Sequence, residues 1–302
     1  MICIIIILTL LRQYRIDPMS ELKKVLIVTY YWPPAGGPAI QRTLKFVKYM
    51  RFFGWEPVIL TVENGEYPAI DPSLIQEIPD NIQVYKTKAF QPFQLYRMLT
   101  GKKGNTHNNA NVFGQKDKTF VERLAKWIRL NLFIPDARIG WYAYAVKAAK
   151  KIIEQEHIDL IYSSSPPHSL QLIAQKIAKQ NKIKWVADFR DPWSELVHYQ
   201  SYKRTWLTSH FEKSVFRSAD RLVAAANDYA TCIKTHVDRK IEVIYNGYDP
   251  SDFPKPKSKN TEDFLITYTG ELSEDRIPHA LLRALSRLED SNIKLQFIGN
   301  TC

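Results

Sequence analysis

The segment Val186-Ala-Asp-Phe-Arg-Asp-Pro-Trp193 brings Asp188, Arg190 and Asp191 together at the end of a strand-like run. Two carboxylates beside a guanidinium can move a proton and neutralise an anion, and ionisable groups crowded at a strand end mark candidate sites. The same residues also fit a plainer pattern, an Arg–Asp ion pair with an aspartate capping the next helix. Asp188 and Asp191 have no histidine nearby in sequence, which is thin support for a metal, and none is expected. A second stretch, Ser163-Ser-Ser-Pro-Pro-His-Ser169, follows another strand-like run. Either His168 and the serines line a cleft rim and meet sugar hydroxyls, or the hydroxyls cap a helix after a proline turn. A third, Tyr30-Tyr-Trp-Pro-Pro-Ala-Gly-Gly-Pro-Ala-Ile-Gln-Arg42, sets Gly36 and Gly37 between a strand and a helix. Uncovered N–H groups at the positive end of a helix suit a phosphate; the alternative is a tight turn between rigid prolines. The spacing is neither GxGxxG nor that of a P-loop, which argues against NAD or ATP. No Ser-His-Asp signature, GxSxG or HExxH occurs.

Elements must hold these segments in place. Buried parallel strands read as Val/Ile/Leu runs, which occur at 25–29, 57–61, 82–85, 160–163, 184–188, 221–225 and 241–245. Helical stripes lie between most of them: Ile40, Leu44, Val47 and Met50, stopped by Gly54; Phe120 to Ile128; then 143–153, 170–177, 207–216 and 229–237. This alternation predicts a doubly wound α/β sheet, whose ligands collect at the carboxyl ends of the strands. The polar tract 101–118 reads as a loop. Three prolines between Asp249 and Asn260 read as a linker, after which strand 264–269, helix 280–288 and strand 293–298 make one βαβ unit.

With 302 residues, 45% of them hydrophobic, the chain can bury a large core. Its three cysteines are too far apart for a zinc or disulfide framework, so a reducing, cytoplasmic setting is expected. A net charge of +11 fits either a solubility surplus or an anionic partner, including the inner membrane face. The apolar run in residues 1–18 is too short to span a bilayer and is read as a mis-assigned start or a short leader before Met19.

Taken together, YYWPPAGGPAIQR, SSPPHS, VADFRDPW, VIYNGYDPSDF and YTGELSEDR resemble the family 4 glycosyltransferases of the GT-B fold. The resemblance implies a Rossmann-like acceptor-side domain over 19–248, a hinge over 249–262 carrying on from Asn246, Gly247 and Asp249, and a nucleotide-sugar-binding domain begun at 263–302. It implies transfer of a sugar from a nucleotide donor to a hydroxyl of a glycan or lipid-linked acceptor, with retention, no cofactor and no nucleic acid. The family's glycine loop at the donor diphosphate carries over to Gly36 and Gly37, and its second-domain turn to Gly270 and Arg276. Where many members have His-Asp after the fifth strand, this chain has Arg190-Asp191. Arginine stays protonated, so Asp191 or Asp188 is the expected proton carrier and Arg190 an anion clamp. The family's E-x7-E pair would fall beyond Cys302, so the second domain is expected to be incomplete and residues 19–302 alone to have little or no transferase activity. A non-catalytic binding module and a nucleotide-sugar 2-epimerase are the alternatives.

Overall fold

The computed structural model describes residues 22–63, 65–91, 133–193, 205–253, 264–270, 272, 277–288 and 292–299. The helix expected over 120–128 and the loop over 101–118 lie outside them. The chain divides after Asp249 into two compact units.

The first unit is a seven-stranded sheet of β1 (Lys23–Val28), β2 (Trp55–Val62), β3 (Gln83–Thr87), β4 (Leu160–Ser165), β5 (Lys184–Phe189), β6 (Arg221–Ala224) and β7 (Ile241–Val243). All pairings are parallel and the order is β3-β2-β1-β4-β5-β6-β7. Sequence order reverses between β1 and β4, so the topological switch point lies where those two strands end.

Strands β1 and β2 are buried on both faces because they are apolar at consecutive positions. Val25 and Ile27 face α1 (Pro38–Met50) through Ile40, Leu44, Val47 and Met50. Leu26 and Val28 face the core of α2 (Tyr142–Glu156) and α3 (Ser169–Asn181), through Ala145, Ala149, Ile152, Ile173 and Ile177. α4 (Thr205–Ser218) and α5 (Asn227–Lys234) add Val215, Phe216, Ala230 and Ile233 to that second core. Each large side chain buried this way contributes on the order of 1.5–3 kcal/mol. A 3₁₀ turn, Arg51–Phe53, follows α1, and Gly54 ends it in the left-handed region at φ 80°, the expected stop.

The second unit holds β8 (Phe264–Thr269) and β9 (Ile293–Ile298), paired in parallel, with α6 (His279–Leu285) between them. This is the βαβ unit that the hydrophobic pattern predicts. Phe264, Leu265, Leu282 and Ile298 are exposed in it.

Candidate functional site

β1, β4 and β5 end side by side, and the three segments singled out in sequence follow them. The loop after β1 treats its two glycines differently. Gly36 is buried, and its N–H donates to the Ala69 carbonyl at 2.8 Å. A Cβ there would sit 3.0 Å from Asp71 Cβ and 3.2 Å from Asp71 N, so packing alone accounts for this glycine. Gly37 is exposed, with φ 91° and ψ 176°, a region essentially only glycine occupies. Nothing lies within 4 Å of the position a Cβ would take. It precedes α1, which has Pro38 at its start, no side-chain cap and no acidic residue in its first turn. Of the expected pair, Gly37 is the one whose backbone faces open space at an uncompensated helix N-terminus.

Asp188 occupies a different setting from the one expected of a proton carrier. Its carboxylate is fully buried and accepts from Arg42 Nε at 2.8 Å and Arg42 Nη2 at 2.9 Å. Tyr162 Oη and Ser164 Oγ donate to it at 2.8 and 2.7 Å. Burial acts to raise its pKa, but the Arg42 charge and these hydrogen bonds prevail and hold it below the usual carboxylate range. Burial likewise opposes the charge on Arg42, and Asp188 outweighs it, raising that pKa. With four donors around it and no exposed surface, Asp188 cannot meet a substrate. It is a structural anion that fixes α1 against β4 and β5.

The Ser163–Ser169 stretch also turns inward. His168 is fully buried and stacks on Trp193 with centroids 4.8 Å apart and planes 6° from parallel. Burial, aided by the Arg190 charge, lowers its pKa to about 3, so it is neutral at ordinary pH. Ser163 Oγ donates to Gln171 Oε1 at 2.7 Å and accepts from Trp185 Nε1 at 2.8 Å. Gln171 Nε2 donates to Ser165 Oγ at 3.0 Å and to the Asp188 carbonyl at 2.8 Å. At the start of α3, Asp136 accepts from Ser169 N and Ser169 Oγ, both at 2.9 Å. His168 and the serines therefore form packing and capping rather than a sugar-binding rim, and the carboxylate of Asp136 already fills that helix N-terminus.

Arg190 and Asp191 remain half-buried at the strand edge. Arg190 Nη1 donates to the Ala39 carbonyl at 2.5 Å, and its Nη2 donates to the Pro166 carbonyl. The guanidinium thus ties the first turn of α1 to the loop after β4. Burial lowers its pKa from the ordinary value, with Asp188 opposing, yet an arginine stays charged. Burial raises the pKa of Asp191 against the pull of Arg190. Asp191 also lines a cavity of about 10 Å³ with Phe189, Trp193, Glu212, Tyr229 and His236. That is room for about one water, so a sugar would have to lie outside it.

The segment expected as a hinge is held to α1. Arg42 Nη1 donates to the Tyr245 carbonyl at 3.3 Å and to Asn246 Oδ1 at 3.1 Å. One helical turn apart from each other, Lys45 and Lys48 reach Asp249 Oδ2 at 3.4 and 2.7 Å. Gly247 is exposed between these anchors. Asn246 to Asp249 is thereby the last part of the first unit. Gly270 ends β8, its N–H donating to the Ile298 carbonyl at 2.9 Å, while Arg276 lies outside the described residues.

Sequence reasoning missed Arg42 and Tyr162 and gave Ser164 a different role. The polar run Tyr-Ser-Ser-Ser at the end of a buried strand was the signal for Tyr162 and Ser164, because buried polar groups require partners. Among the described residues no group of three or more His, Cys, Asp or Glu is placed to hold a metal ion. No helix among them is long and apolar enough to cross a membrane.

A parallel sheet with its polar groups at the switch point defines the Rossmann-like class that binds ligands at strand ends. Residues 110–252 match the model of the family described as Glycosyltransferase Family 4. HepE from Anabaena, solved in complex with UDP and glucose, shares the fold at 15% identity with a TM-score of 0.51, over 93% of this chain and 62% of its own. Sucrose-phosphate synthase from Thermosynechococcus elongatus gives 10% and 0.55, over 93% and 63%. TarM gives 10% and 0.56, over 94% and 73%. Over residues 110–252 the chain is similar to Glycosyltransferase Family 4, and its fold is similar to that of these structures. It spans about three-fifths of the length of the first two of those structures. No curated protein matches it in sequence.

Proposed function

We propose that the protein serves in transfer of a sugar from a nucleotide-sugar donor to a hydroxyl of a glycan or lipid-linked acceptor, at the inner membrane face, in cell-surface polysaccharide or lipid-linked glycan synthesis. The match of residues 110–252 to Glycosyltransferase Family 4 carries this reading. The geometry supports it through the carboxyl edge of the sheet, where Gly37 follows β1 and Arg190 and Asp191 follow β5, the strands on either side of β4. In this reading the first-turn amides of α1 and the Gly37 backbone approach the donor diphosphate, where a helix N-terminus and a fixed cation stabilise the charge that builds on the leaving group. Arg190 supplies the cation and holds that turn in place. Asp191, with its pKa raised by burial, is the group suited to take the acceptor proton near neutral pH. Gly270 and Arg276 are assigned to the diphosphate on the resemblance, as is retention of anomeric configuration.

The test expresses the protein from its complete reading frame and offers it a panel of nucleotide sugars with and without membrane-extracted acceptors. Acceptor-dependent release of nucleoside diphosphate supports the proposal. Epimerisation of the donor without acceptor, or binding of acceptor with no turnover on any donor, overturns it.

A further inference from the structure

One helix face is built for a partner that the sugar chemistry does not require. α4 buries Thr208, Glu212, Val215 and Phe216. At about 100° per residue, positions 206, 210, 213 and 217 fall on the opposite side of the helix. There stand Trp206, His210, Lys213 and Arg217. Trp206 is 69% exposed, far more than the large side chains that face the core. His210, Lys213 and Arg217 line a shallow recess of about 340 Å³ together with Ser214 and Ser218. Gln175 of α3 donates to both serine hydroxyls, at 3.0 and 2.7 Å, which fixes the floor of the recess. Among the described residues neither Lys213 nor Arg217 pairs with a carboxylate.

We propose that this face of α4 docks on an anionic lipid surface, with Trp206 in the interfacial layer and Lys213 and Arg217 against lipid phosphates. The stripe is about 16 Å long from end to end, at 1.5 Å per residue. Its composition, an indole at one end and cations along the rest, matches the amphipathic and electrostatic demands of that surface. The net charge of +11 attracts the same partner. Because a helix between parallel strands starts at their carboxyl edge, Trp206 lies on the edge where Gly37 and Asp191 sit. A lipid-linked acceptor would then be met where the proposed chemistry occurs. The inference rests on the proposed function only for that reason to visit a membrane, and its test uses no sugar transfer.

The experiment is flotation of the full chain with phosphatidylcholine vesicles, with and without phosphatidylglycerol, at low and high salt. Binding is expected only with phosphatidylglycerol, and it should fall as salt rises. Each of Lys213→Gln and Arg217→Gln should weaken partitioning about fivefold. Trp206→Ala should weaken it further, and the indole fluorescence that Trp206→Phe removes should shift to shorter wavelength on binding. These side chains point outward, so thermal unfolding midpoints should stay at the wild-type value and exclude misfolding. Equal binding to neutral vesicles, no binding at all, or binding untouched by the three substitutions overturns the proposal. So does a stripe that binds a soluble polyanion but no vesicle.

Discussion

Replacing Arg42 by alanine removes four hydrogen bonds at once, two to Asp188 and one each to the Tyr245 carbonyl and Asn246. It leaves a fully buried carboxylate held by only Tyr162 and Ser164. The side chains of the pair are 3% and 0% exposed, so solvent screens little of their interaction. Breaking a buried pair from one side costs about 3–5 kcal/mol, a large share of the roughly 5–15 kcal/mol that holds a domain folded. Urea unfolding measures the loss by linear extrapolation. Arg42→Ala and Asp188→Leu should each show it, whereas Arg42→Met with Asp188→Leu together should recover most of it, because no charge is then left buried alone. A pH series adds an independent check. The folded pKa of Asp188 is lowered, so its stabilisation is present above the ordinary carboxylate pKa of about 3.9 and is lost as pH falls through the lowered value. That acid-dependent loss should vanish in the double substitution. If Arg42→Ala costs less than about 1 kcal/mol, the size of an ordinary hydrogen bond, the reasoning that Asp188 is a structural anion fails.

Three further outcomes follow from the same geometry. His168 has its pKa lowered from 6.5 to about 3, so between those values only the unfolded chain binds the proton, and stability should fall as pH drops. The slope approaches about 1.4 kcal/mol per pH unit, and His168→Phe, which keeps a ring against Trp193, should flatten it in acid-range melting curves. Asp191→Asn should lower acceptor-dependent turnover by roughly 10²–10⁴ and abolish an acid limb set above the usual carboxylate range; near-wild-type kcat would exclude it as the proton carrier. Gly37→Ala should cost on the order of 1–3 kcal/mol in thermal unfolding although nothing touches the added methyl, because its backbone conformation is glycine's; a neutral result would contradict that.

The positions of the strands were readable because most carry a short apolar run, and each of β1 to β9 overlaps a segment read as a strand from sequence. Gly54 and the βαβ pattern of the second unit were equally legible, since both are local signals. What the chain did not reveal was direction. Asp188 and Asp191 are three residues apart with the same side chain, yet one lies inside the sheet layer and the other at its edge. Only the partner from another element, Arg42 on α1, separates them, and a 146-residue spacing carries no periodic signal. His168 and the serines misled for the same reason: a polar run after a strand reads as a rim unless the residues that satisfy it, Gln171 and Asp136, are known. Lys45 and Lys48 sit in the polar positions of α1, where their reach to Asp249 is invisible from sequence.

A crystal structure of the protein with a bound nucleotide sugar tests the central claim most directly. The account predicts the diphosphate within hydrogen-bond reach of the Gly37–Ile40 backbone, with the transferred sugar beside Asp191. A donor bound away from the carboxyl ends of β1, β4 and β5, or a sugar contacting His168 and Asp188 instead, would contradict it.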